Sequence, residues 1–141
     1  MRVPRPSVIV PSVITLSVIS VGLLIGGTSA AAHHSFAAEF DAGQPVTIEG
    51  VVTKVEWTNP HVWFFVNVAN PDTGEVVNWG AEMGSPNALG RNGWMPGTMH
   101  VGMRVTVSGS RAKDGSRRLN TRTVTVDGRR LGAASSQQSA P

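Results

Sequence analysis

Five runs of alternating, mostly β-branched residues, each ended by Gly, Pro, Asn or Asp, constrain this chain more than any other feature. The clearest is His61 to Ala69. A period of two puts Val62, Phe64, Val66 and Val68 on one face and His61, Trp63, Phe65 and Asn67 on the other. Ahead of it, Val46 to Trp57 carries Val46, Ile48, Val51, Val52 and Val55, residues that suit a pleated, half-buried surface. Its alternation breaks around Gly50, which predicts a bulge where the strand bends, and Thr58-Asn59-Pro60 predicts a turn. Asn70-Pro71-Asp72-Thr73-Gly74 predicts a hairpin into Glu75–Glu82, with Val77, Trp79 and Ala81 on one face. The fourth run, Val101–Ser110, alternates Val101, Met103, Val105 and Val107 with Gly102, Arg104, Thr106 and Ser108. Lys113-Asp114-Gly115 then turns the chain into the fifth, Leu119–Asp127, ended by Gly128.

Between the third and fourth runs, Ser85-Pro86 reads as a helix N-cap with Pro at the first helical position. Asn87 to Asn92 then makes a short helix stopped by Gly93. Three strands, a short helix and two more strands, with the first strand long and bent, predict an all-β domain. Its expected form is a five-stranded Greek-key barrel of OB type, with the helix between strands three and four. A small antiparallel sandwich is the alternative. Residues 33–45 predict a helix-like or irregular start ending in the turn residues Asp41, Gly43 and Pro45. Residues 132–141 are small and polar and predict a disordered tail. No internal repeat is present.

The first 32 residues have the order of a secretory signal peptide. Arg2 and Arg5 precede an apolar stretch from Val8 to Ile25, followed by Gly26, Gly27 and the small residues Thr28 to Ala32. The apolar run could also span a bilayer as an uncleaved anchor, but small residues stand where a peptidase would cut and no positive cluster follows. Cleavage after Ala30-Ala31-Ala32 leaves His33 first; cleavage one residue earlier leaves Ala32 first. The chain therefore divides into a leader (1–32), one β domain (33–131) and a tail (132–141), and the expected location is the periplasm or the medium.

Composition narrows the function classes. The chain has no Cys, which excludes disulfides, thiolate metal sites, a thiol nucleophile and a lipid anchor at the cleavage site. With Arg2 and Arg5 in the leader, ten basic residues face nine acidic ones beyond position 32, a net charge of +1. That balance calls for no nucleic-acid partner, and membrane contact is expected only during export.

Several separated motifs are distinctive: His33-His34-Ser35-Phe36-Ala37-Ala38-Glu39-Phe40-Asp41, Trp57-Thr58-Asn59-Pro60-His61, Ser85-Pro86, Gly93-Trp94 and Ala112-Lys113-Asp114-Gly115-Ser116. Together they resemble the exported bacterial family catalogued as domain of unknown function 6152, over roughly residues 33–131. The resemblance implies a secreted or periplasmic β domain and supplies no reaction.

The residues that could carry chemistry fall into three groups. Cleavage before His33 would leave a free α-amine beside an imidazole, and the two chelate one metal ion. A second imidazole from His34, His61 or His100 would complete a nitrogen set suited to Cu(II). Cleavage before Ala32 would place His34 third, where the amine, two backbone nitrogens and an imidazole hold Cu(II) or Ni(II) in a plane. The plain alternative is adventitious binding, or docking of both histidines as ordinary polar groups. Cu(II) is the one cofactor these residues suggest.

The second group is the face carrying Trp63 and Phe65, with His61 at its edge and Trp57, Trp94 and Glu82 as further ligand-binding candidates. In OB barrels this surface holds ligands, here a ring-bearing or sugar-like molecule. The competing reading buries the aromatic pair under the amino-terminal segment or the Ser85–Met95 insertion. The third group is Arg111, Lys113, Arg117 and Arg118, a solvated turn or a grip on an anionic partner. Met83, Met95, Met99 and Met103 read as core filling before they read as Cu(I) ligands. No carboxylate pair, nucleophile elbow or phosphate loop nominates an enzyme. The leading expectation is thus a non-enzymatic binding domain for an unknown small ligand. A copper-binding protein and a partner in an envelope complex are the alternatives.

Overall fold

The alternating runs form the strands of a small barrel in the computed structural model, which describes residues 36–135. The expected leader, His33, His34 and the end of the tail lie outside the described residues. Residues 36–39 are helical. They are followed by β1 (Phe40–Glu56), β2 (Trp63–Ala69), β3 (Val76–Glu82), the short helix α1 (Pro86–Arg91), β4 (Arg104–Ala112), β5 (Arg118–Val126) and β6 (Arg129–Gly132).

β1 pairs antiparallel with β2 on one edge and β4 on the other, β2 with β3, and β4 with β5. A short parallel pairing of β3 with β5, Gly80 opposite Arg118 to Glu82 opposite Asn120, closes the ring β1-β2-β3-β5-β4. This is the five-stranded OB-like barrel, and the closing pair sets the sandwich aside. β5 gives its free edge to β3 at its start and to β6 at its end, Thr123 to Val126 lying opposite Gly132 to Arg129.

The side chains follow the period of two. Val62, Phe64 and Val66 are fully buried, as are Val105, Val107, Leu119 and Val124 from the other strands. α1 contributes Leu89 to the core. Its cap forms as its sequence implies: Pro86 opens the helix and Ser85 Oγ accepts a hydrogen bond from the Ala88 amide at 3.3 Å.

Three expectations are corrected. First, β1 starts at Phe40, not Val46. Asp41, Gly43 and Pro45 do not end a loop; they form an irregularity inside the strand, where Asp41 Oδ1 accepts the Gly43 amide. Gly50 is not the bulge either. The register slips between Val52 and Lys54, while at Gly50 the backbone of β2 comes so close that a Cβ would lie 2.1 Å from Asn67 O. Second, Gly128 ends the fifth strand as expected, but a sixth strand follows it. Asp127 and Gly128 both adopt positive φ, 48° and 73°, and form a tight hairpin into β6. Third, the tail does not begin at 132. Ala133 and Ser135 are buried, and the Ala133 carbonyl accepts the Gly84 amide beyond the end of β3.

Candidate functional site

Of the residues that the sequence nominates, the outer face of β2 and β3 gathers His61, Trp63, Phe65 and Glu82. Trp63 lies opposite Glu82 and Phe65 opposite Gly80, with Glu56 and Lys54 of β1 on their other side. Both rings lie over Gly80. A Cβ on it would lie 3.5 Å from ring atoms of both Trp63 and Phe65 and 3.6 Å from Arg118 Cγ, so three side chains converge over one glycine. Both aromatic residues are half-buried; neither the 36–39 segment nor the α1 insertion seals them. The Lys54 ammonium stands 5.5 Å from the Phe65 ring centre and pairs with Glu56. Farther along, Asn78 donates to Asn67 Oδ1 at 2.8 Å and to Thr53 Oγ1 at 3.1 Å, which makes an exposed polar strip.

At the other end of this face, His61 leaves the turn containing the cis Asn59–Pro60 bond, and its Nδ1 meets the Glu82 carboxylate. The two partners differ in exposure: the histidine side chain is 38% exposed and the glutamate 8%. Burial pushes the Glu82 carboxyl above its ordinary value of 4.5. His61, a hydrogen bond from Asn120 and the charge of Arg118 offset part of this, and the nearby Glu39 carboxylate adds to it. Asn120 is itself buried, and its Oδ1 has no hydrogen-bond partner.

The β4–β5 hairpin borders the site. Gly115, at φ 77°, makes the turn that Asp-Gly implies. Its charged residues are largely occupied. Arg118 bonds Asp114 at 2.8 Å and Ser116 at 3.0 Å, Lys113 Nζ donates to the Ala37 carbonyl, and Arg111 stacks 5.6 Å from Trp79. Hydrogen bonds from Ser116, and then from Arg118, lower the pKa of the Asp114 carboxyl to about 2.

Other nominated residues lie elsewhere. Trp94 is not on the face. It is 1% exposed, sits in the core and donates its indole N–H to the Gly132 carbonyl at 2.8 Å. Trp57 is half-buried against the same core. His100 is exposed in the segment leading to β4, where its backbone amide donates to Met103 Sδ. Met83 and Met99 fill the core, and Met95 projects into solvent. Among the described residues no three His, Asp or Glu side chains converge as a metal site, and no helix is long and apolar enough to cross a membrane. A depression beside β1 is bounded by Glu49, Gly50, Asn67 and Arg104.

The pairing of His61 with Glu82 is the feature that sequence reasoning missed. Both residues were nominated, but in separate roles, because only the β2–β3 register brings them together.

No curated protein matches the chain. A family of unknown function, DUF6152, matches residues 21–121, from within the expected leader to the first part of β5. The match takes in every residue of the aromatic face and both members of the His61–Glu82 pair, so the chain belongs to the family of unknown function DUF6152.

Proposed function

We propose that this protein is an exported, non-enzymatic binding domain that holds a ring-bearing, hydroxyl-rich ligand such as an oligosaccharide on the outer face of β2 and β3. One observation carries the reading: Trp63 and Phe65 lie half-exposed over Gly80, on the barrel face and between the two loops that OB domains use for oligosaccharides and oligonucleotides. An aromatic platform binds sugar rings through apolar contact, and the adjacent Asn67, Asn78 and Thr53 supply donors and acceptors for hydroxyl groups. A leader that exports the chain removes nucleic acid as a natural partner, and the mature charge of +1 adds no pull towards it.

The test is a tryptophan-fluorescence titration of the mature protein with neutral and anionic oligosaccharides, namely chito-, cello- and heparin-derived series. A saturable change in one series, lost in Trp63→Ala, supports the reading. Unchanged fluorescence across all three series, or a response that survives Trp63→Ala, rejects it.

A further inference from the structure

We propose that β3 pairs with the β3 of a second copy of this chain, antiparallel and edge to edge at Val76 and Asn78, with Glu75 of each copy against Arg111 of the other. The inference does not rest on the oligosaccharide reading. It needs only the free edge of β3 and the two charges beside it.

β3 is covered along only part of its second edge. The whole strand pairs with β2, but β5 meets it only from Gly80 to Glu82. The Gly80 amide points to β5, where it donates to the Arg117 carbonyl. Backbone groups alternate along a strand, so the N–H and C=O of Val76 and Asn78 point the same way, and among the described residues no strand meets them. The ladder with β2 runs without a slip and this edge carries no Lys or Pro, the usual guards against pairing with another chain. Val76 is 57% exposed here. β6 also pairs on one side only, but it carries Arg129 and Arg130, like charges that guard its edge.

The pattern around this edge is complementary to itself, as a two-fold contact requires. With the axis at Val77, Val76 of one copy lies opposite Asn78 of the other, and each such pair exchanges its N–H and C=O groups. The Val77 side chains face each other across the axis, in the kind of pair where side chains come closest. Each is already packed against the core of its own barrel. Glu75 then lies opposite Trp79 of the other copy, and the Arg111 guanidinium stands 5.6 Å from the centre of that ring. Among the described residues neither Glu75 nor Arg111 has an ion-pair partner. Each acid is thus brought to a cation that its own copy leaves unanswered. The register also ends by itself. Ahead of Glu75 the chain turns off at Gly74 (φ 71°), and on the facing strand that position is Gly80, whose amide Arg117 already holds.

The experiment uses protein exported and processed by its own leader. Sedimentation equilibrium from micromolar to millimolar protein should show a reversible monomer–dimer exchange, because an edge contact of this length is small for an interface. Glu75→Arg and Arg111→Glu should each stay monomeric across the range, since like charges then face each other. An equal mixture of the two should dimerise again, because each new charge meets its opposite. In amide hydrogen exchange of the wild type, Val76 and Asn78 should exchange fast in dilute protein and slow down as the concentration rises. This second readout decides the matter even if Arg111→Glu fails to fold. A wild type that is monomeric at every concentration, or single variants that still dimerise, overturns the proposal. So does a mixture of folded variants that stays monomeric. Val76 and Asn78 amides protected equally at all concentrations, as they would be if another part of the same chain covered them, overturn it as well.

Discussion

Adjacent residues on β2 should respond in opposite ways to truncation. Phe64 points into the barrel and has no exposed surface, packed among residues such as Val52, Val66 and Leu119. Phe64→Ala removes a whole buried ring from a core that can collapse only partly, at a cost of about 3–5 kcal/mol. In a domain of this size each kcal/mol is worth roughly 4–8 °C, so the melting temperature should fall by at least roughly 12 °C. Trp63 faces outward and is half-exposed. Its truncation forfeits only part of one side chain's burial, about 1 kcal/mol. Trp63→Ala should melt within several degrees of wild type and lose the ligand, whereas Phe64→Ala, while still folded, should keep it. Thermal unfolding by circular dichroism, paired with the oligosaccharide titration, reads both effects. If Trp63→Ala is as destabilising as Phe64→Ala, Trp63 is a core residue and the binding argument fails with it.

Further outcomes follow from other parts of the barrel. Because burial raises the folded carboxyl of Glu82 above 4.5, the folded protein holds that proton more tightly than the unfolded chain does. The group's contribution to stability should therefore fall as pH rises from 4.5 through the raised folded value. Denaturant melts of wild type against Glu82→Gln across that window should show the slope, and a difference independent of pH would contradict the burial argument. Gly109→Ala would place a Cβ 2.1 Å from Asn120 O at a break in the β4–β5 register, where the backbone must move. It should cost about 1–3 kcal/mol, while Gly80→Ala, with ordinary contacts near 3.5 Å, should melt close to wild type. Ser85→Ala removes the acceptor for the Ala88 amide and should lower stability by about 1 kcal/mol in the same melts.

Local signals made much of the fold legible. The alternation at Val62, Phe64 and Val66 marks the inner face of β2 without any partner in view, and Ser85-Pro86 specifies the helix start. What stayed hidden depends on contacts between distant segments. Alternation places Trp63 on the outer face of β2, but no local signal places Trp94, whose indole is buried against Gly132. Asp41, Gly43 and Pro45 carry turn chemistry, and the turn exists, but it is folded into β1 because β4 continues alongside. The Asp127-Gly128 pair carries a hairpin signal, but the Arg129–Gly132 strand after it is too short to show an alternating apolar run. Glu82 illustrates the limit most clearly: an acidic residue at the end of a strand becomes a buried partner of His61 only through the pairing of β2 with β3 and of β3 with β5.

The most direct test of the binding face is an amide-resolved NMR titration of the mature protein with the oligosaccharide series. The account predicts shift changes centred on Trp63, Phe65 and Gly80, extending to Asn67 and Asn78 and including the Trp63 indole, with the Trp94 indole unmoved. Changes centred on the depression around Glu49 and Arg104, or no changes with any series, would contradict it.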